Sequence, residues 1–236
     1  RSLNLPYGQD ELIGELARVN RNLVAVIISG NAVAMPWVNE VPAIVEAWYG
    51  GTEAGNAIAS VLAGEVNPSG KLPITIPKHA GQIPMYYYQR PSRYWTGYGL
   101  GSSREDEKPA FCFGHGLSYT SYEYSGLKID SVIPQTQDIE FTFTVKNTGN
   151  MAGKETALVF IRDCVSSVVT PVACLKGFEK VSLNPGESKD IRIVIPYSDL
   201  GLWNEDMKYV VESGKFNLMI GRSVEDIRIK KDFFIK

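Results

Sequence analysis

The sequence predicts two halves of different class: a partial α/β layer with parallel strands, then an all-β sandwich of the immunoglobulin type. Three observations predict this. A continuous apolar run, "LVAVII" from Leu23 to Ile28, ends at Ser29-Gly30, as expected of a parallel strand covered on both faces. Further along, apolar and polar residues alternate instead, in "IEFTFTV" (Ile139 to Val145) and "IRIVI" (Ile191 to Ile195). Turn signals separate these later segments, at "NTGN" (Asn147), "NPGES" (Asn184) and "ESGK" (Glu212).

Taken in order, the first half opens with a helix from Pro6 to Val19. Leu12, Ile13, Leu16, Ala17 and Val19 recur near helical spacing, and Pro6 suits a first turn, where its missing N–H is not needed. The run at 23–28 follows as one strand and "PAIVEAWYGG" (Pro42 to Gly51) as a second. Ala54, Ala57, Ile58, Val61 and Leu62 mark one face of a helix beginning at Thr52 and stopping at Gly64, and "KLPITIP" (Lys71 to Pro77) predicts a further short strand. In the second half "ALVFI", "CLKGF", "KFNLMI" and "IRIKKDFFI" supply more strands. The expected division is 1–93 for the α/β part, 94–121 for a joint and 122–236 for the sandwich.

Composition narrows the partners. Apolar residues make up 44% of the chain, enough for real cores. A formal charge of -2 with acidic and basic residues interspersed offers no field to attract nucleic acid. No apolar run is long enough to span a bilayer, and no basic, apolar, small-residue signal opens the chain, so neither nucleic acid nor membrane is an expected partner. Three cysteines, Cys112, Cys164 and Cys174, exclude a complete disulfide framework. Cys164 and Cys174 could face each other across "CVSSVVTPVAC", but three free thiols is the preferred reading; it suits a cytoplasmic compartment and leaves secretion open.

The stretch "FCFGHGLSYT" sets Cys112 three residues before His115, which lies between Gly114 and Gly116. Thiolate and imidazole are zinc ligands, but two more ligands are needed and the other histidine, His79, and the other cysteines lie far away in sequence. The alternative is a joint in which Gly114 and Gly116 give the backbone freedom between packed aromatics.

Four segments then carry a resemblance: "NPSGKLPITIP" from Asn67, "FCFGHGLSYT" from Phe111, "VKNTGNMAGKE" from Val145 and "LKGFEKVSLNPGES" from Leu175. In this order, and over essentially the whole chain, they resemble the C-terminal part of a glycoside hydrolase family 3 enzyme of the β-glucosidase kind. The resemblance implies the end of an α/β sandwich domain followed by a fibronectin type III-like domain, with a catalytic barrel before them or, in a permuted order, after Lys236. Proline is common in this family where Cys112 stands, which argues for the joint over the metal site and leaves His115 a structural position.

The resemblance further implies a retaining glycosidase, whose chemistry needs two carboxyl groups about 5 Å apart. The nucleophile is an aspartate of the barrel. The acid/base is a glutamate in a Glu-Gly-x-Asp-Arg pattern, and "RSLNLPYGQDELI" looks like its continuation with Arg1 as the arginine. The glutamate is therefore expected just upstream of Arg1, and no catalytic residue, metal or cofactor is assigned within the chain. The implied partners are a β-linked glycoside or oligosaccharide and the remainder of the same enzyme or a second copy of the chain.

Other candidates have plainer readings. Glu53 suits the positive end of a helix. Asp163, Asp190 and Asp206 suit local hydrogen bonds at strand ends or turns, and Glu105, Asp106 and Glu107 a solvated loop. "MYYYQRPSRYW" suits an interface between the halves, with Arg93, Tyr94 and Trp95 as candidates for the edge of an aglycone site. Two rival functions remain: a carbohydrate-binding or interaction module built from the sandwich alone, and a self-contained hydrolase. The second is disfavoured, because the chain has no Gly-x-Ser-x-Gly elbow.

Overall fold

The computed structural model describes residues 2–88, 90 and 108–236. Strands dominate it and helices are few. Helix α1 spans Gln9–Val19. Pro6 lies ahead of it rather than in its first turn: Tyr7 and Gly8 take left-handed φ values of 60° and 72°, and the N–H of Gln9 donates to the Pro6 carbonyl (3.3 Å). Strands β1 (Val24–Ile27) and β2 (Ala43–Glu46) pair in parallel, Val24 opposite Ala43. Ile13 and Ala17 of α1 pack on a core formed by Ala25 and Ile27 of β1 with Met35, Trp37, Val41 and Ile76.

Three further expectations for this half change. The apolar run at 23–28 is covered on one face only: Ala25 and Ile27 are 8% and 4% exposed, whereas Val24 and Ile28 are 44% and 60% exposed. Helix α2 (Ala54–Leu62) has no buried residue and contributes none to the core around β1. That helix also starts later than Thr52, because Gly51–Glu53 form a 3-10 turn entered through Gly51 at φ 66°. Finally, "KLPITIP" makes no strand. Pro73 and Pro77 lack the N–H a ladder needs, and only a single antiparallel bridge between Ile76 and Phe111 remains.

The second half is a two-sheet sandwich. Its strands are β3 (Tyr122–Ile129), β4 (Val132–Ile133), β5 (Ile139–Asn147), β6 (Gly153–Asp163), β7 (Cys174–Leu183), β8 (Ser188–Ile195), β9 (Leu202–Trp203), β10 (Tyr209–Val210), β11 (Gly214–Gly221) and β12 (Ile227–Ile235). One sheet runs β4-β12-β11-β6-β7 and the other β3-β5-β8; β9 and β10 form a separate hairpin. The alternation read in the sequence is the core pattern: Ile139, Phe141, Phe143 and Val145 of β5 point inward against Ala157, Val159 and Ile161 of β6 and Phe216 and Leu218 of β11. Strand β6 departs from alternation. Every residue from Glu155 to Ile161 is buried, so its outer face is covered as well.

Candidate functional site

The cover on β6 comes from the chain between the halves. Tyr87, Cys112 and Phe113 pack on Leu158, Phe160, Ala173, Leu175, Met219 and Val224, the outward residues of the five-stranded sheet and its flanks. Tyr87 stacks on Phe113 at 4.2 Å and meets Phe160 edge-on at 6.0 Å, and its hydroxyl accepts the N–H of Leu175 (3.3 Å). Backbone contact continues from there: the N–H of Val224 donates to Phe113, that of Gly114 to Leu72, and that of Leu72 to His115. Gly114 has φ 83°, and a Cβ there would meet Leu158 at 2.5 Å and the Ser223 backbone at 2.9 Å. Both its freedom and its smallness are used. The Cys112 thiol is buried, which raises its pKa, so this thiol is a packing group.

Beside this apolar contact lies a polar one, in which the four sequence motifs converge. Asn67 accepts from the Ser118 hydroxyl (2.9 Å) and the Tyr119 N–H (2.8 Å) and donates to the Ala152 carbonyl (3.0 Å). Asn147, fully buried, accepts from the Thr120 hydroxyl (2.7 Å) and donates to the carbonyls of Met151 (2.8 Å) and Leu183 (3.2 Å). The centre is Glu155, 1% exposed. Its carboxylate accepts from the Tyr124 hydroxyl (2.8 Å) and from Nε of Arg222 (3.0 Å), with Lys71 Nζ at 3.7 Å. Lys71 also donates to the Gly116 carbonyl (3.1 Å). Lys71 belongs to the first half and Glu155 and Arg222 to the second, so the ion cluster stitches them together.

Electrostatics make this a sealed structural centre. Burial lowers the pKa of Lys71, against the opposing pull of Glu155, and burial raises that of Tyr124. His115 is pushed down by burial and then by the positive charges of Lys71 and Arg222. A carboxylate saturated by two cations and a phenol, and closed to solvent, has no path to a glycosidic bond.

A second locus lies at the carboxyl ends of β1 and β2, where open parallel sheets hold ligands. Glu46 ends β2, and burial raises its pKa; one carboxylate oxygen accepts from Ser29 and the Trp48 N–H (3.4 Å each), and the other is buried without a partner among the described residues. Asp10 accepts from the Leu5 N–H (3.1 Å) and the Trp37 indole (2.8 Å), and Leu3 accepts from the Ala34 N–H (3.0 Å). Segment 2–5 is thereby tied to the loop leaving β1. Sequence reading missed both Glu46 and Asp10. Its available signal was a lone acid closing an apolar strand and another opening a helix.

The remaining candidates fall out as follows. Glu53 is exposed and accepts from Asn56 (2.7 Å); Asp163 accepts from Val165 (3.2 Å); Asp190 accepts across the sheet from Thr144 (2.7 Å). The expected local role holds for Asp163, while Asp190 sits within β8 and bonds a neighbouring strand. Asp206 sits in the turn before β10, where its backbone N–H donates to Asn204 (3.1 Å). Arg1, Arg93, Tyr94, Trp95, Glu105, Asp106 and Glu107 lie outside the described residues. No group of three or more metal-ligating side chains occurs among the described residues, and none of their helices is long and apolar enough to cross a membrane.

Known proteins share this architecture. Residues 1–119 match the glycosyl hydrolase family 3 C-terminal domain and residues 155–224 a fibronectin type III-like domain. The chain belongs to glycoside hydrolase family 3. It is 43% identical to a β-glucosidase of Bacteroides ovatus over 96% of the chain and 32% of that enzyme. It is 38% identical to a periplasmic β-glucosidase of Salmonella typhimurium, over 99% of the chain and 31% of that enzyme. A mutant β-glucosidase from Listeria innocua, solved in complex with laminaribiose, superposes with a TM-score of 0.90 at 30% identity, covering 100% of the chain and 33% of the enzyme. The chain thus spans about a third of the length of these relatives.

Proposed function

We propose that these residues are the C-terminal part of a retaining β-glucosidase that hydrolyses β-linked glucosides, and that they act there as scaffold. The observation that carries this reading is the superposition of both halves, at a TM-score of 0.90, on a mutant β-glucosidase solved in complex with laminaribiose. In this reading the division is 1–93 for the end of an α/β sandwich domain, 94–121 for the joint and 122–236 for the fibronectin-like domain. The acid/base glutamate precedes Arg1 and the nucleophile is an aspartate of a barrel domain. Asp10, through Leu5 and Trp37, fixes the segment that would follow the acid/base. Arg93, Tyr94 and Trp95 remain candidates for the edge of the aglycone site. The compartment is proposed as cytoplasmic, in keeping with three unbridged cysteines.

The test compares residues 1–236 alone with the longer product of the same gene on a chromogenic β-glucoside. The longer protein is expected to turn over with retention of configuration and residues 1–236 to show none. Turnover by residues 1–236 purified to homogeneity overturns the placement of the carboxyl groups; a longer protein inert on β-glycosides overturns the activity.

A further inference from the structure

The hairpin of β9 and β10 stands apart from both sheets and carries an exposed aromatic pair. Trp203 is 61% and Tyr209 49% exposed, their ring centroids 5.5 Å apart and their planes at 61°. The pair is held firmly. The Tyr209 hydroxyl donates to the Ser198 carbonyl (2.9 Å), and its ring lies against Gly201 so closely that a Cβ there would collide with it. The Asn204 side chain accepts the N–H groups of Asp206 (3.1 Å) and Lys208 (3.0 Å), closing the turn. Rings fixed in advance lose little freedom when something binds them.

The position is also informative. The hairpin leads into Gly214, where β11 begins, whereas Arg222 of the ion cluster follows the last residue of β11. A strand of that length covers about 26 Å at the usual rise. The aromatic pair therefore leads into the end of β11 opposite to the one that Arg222 follows.

We propose that Trp203 and Tyr209 form a binding site for the sugar rings of a β-glucan chain. The flat C–H faces of glucose match an aromatic surface, and Glu205, Asp206 and Lys208, all exposed on the same turn, add acceptors and a donor for hydroxyl groups. Size selects a sugar over a protein. The exposed parts of Trp203, Tyr209 and Met207 amount to on the order of 400 Å², about half of what each side of a stable protein interface buries. The choice of a β-linked glucan rests on the hydrolase reading; the site itself does not.

The experiment is native electrophoresis of residues 1–236 through gels containing soluble mixed-linkage β-glucan or, as control, soluble starch. Retardation by β-glucan alone is expected, and Trp203→Ala is expected to weaken it at least tenfold with an unchanged melting midpoint. Should Trp203→Ala fail to fold, Trp203→Leu supplies the same reading, an apolar side chain without a ring. No retardation, equal retardation by starch, or variants retarded like the parent would overturn the site. So would a dimer by light scattering that Trp203→Leu turns into monomer, because the occupant is then a second copy. The two readings fail separately: an active longer enzyme without retardation sinks the glucan site alone, and retardation with an inert longer protein sinks the hydrolase alone.

Discussion

Strand β6 and the run around β1 present the same sequence signal, an unbroken apolar stretch, and the molecule treats them differently. In β6, Ala157, Val159 and Ile161 face the sandwich core while Leu158 and Phe160 face Tyr87, Cys112 and Phe113, so both faces are dry. Around β1, Ala25 and Ile27 are buried while Val24 and Ile28 are open to solvent. An apolar run declares that two faces need cover; it does not say which part of the chain supplies it. Tyr87, Cys112 and Phe113 supply it for β6.

The largest test of the contrast is to break the seam that brings cover to β6. Glu155→Ala leaves Lys71 and Arg222 buried without their shared carboxylate and is expected to cost about 3–5 kcal/mol, read from urea unfolding of residues 1–236. Phe160→Ala strips the same face of its largest side chain, and a loss of about 3–5 kcal/mol is expected from the same titration. If either variant unfolds at the parent midpoint, the seam is not what holds the halves together.

A subtler probe is pH. Burial, Lys71 and Arg222 hold the His115 pKa below its ordinary 6.5, so the native imidazole resists a proton that the unfolded chain takes up. Stability from this group is therefore fully present above about pH 6.5 and is lost as pH falls through the lowered native value. His115→Asn should flatten the slope of unfolding free energy against pH in that window. An unchanged slope would show that His115 does not report on the seam.

The smallest effect sharpens the other side of the comparison. Ile28→Ser, on the uncovered face, is expected to change the unfolding free energy of residues 1–236 by no more than about 0.5 kcal/mol while reducing self-association in light scattering. The same change in the longer enzyme should destabilise it clearly. Equal, large losses in both would mean that the face is already covered within residues 1–236.

Much of this was legible in the residues. The alternation in "IEFTFTV" specified a half-buried strand because side chains alternate along any strand, a local property that needs no partner to be known. The motifs around Asn67 and Phe111 pointed to the family. "KLPITIP" misled because its apolar residues suggest a strand while its prolines deny the ladder, and only the bridge partner Phe111 decided the outcome. Lys71, Glu155 and Arg222 could not be singled out, since a charged residue looks the same in sequence whether it is solvated or buried in a pair. Their meeting depends on two halves docking, and the energy that fixes them there is desolvation and Coulomb attraction across the contact, neither of which leaves a period or a spacing behind. What the sequence determined alone was backbone periodicity and family; which acids are sealed, which aromatics stand in water and which strand keeps a bare face were decided by packing.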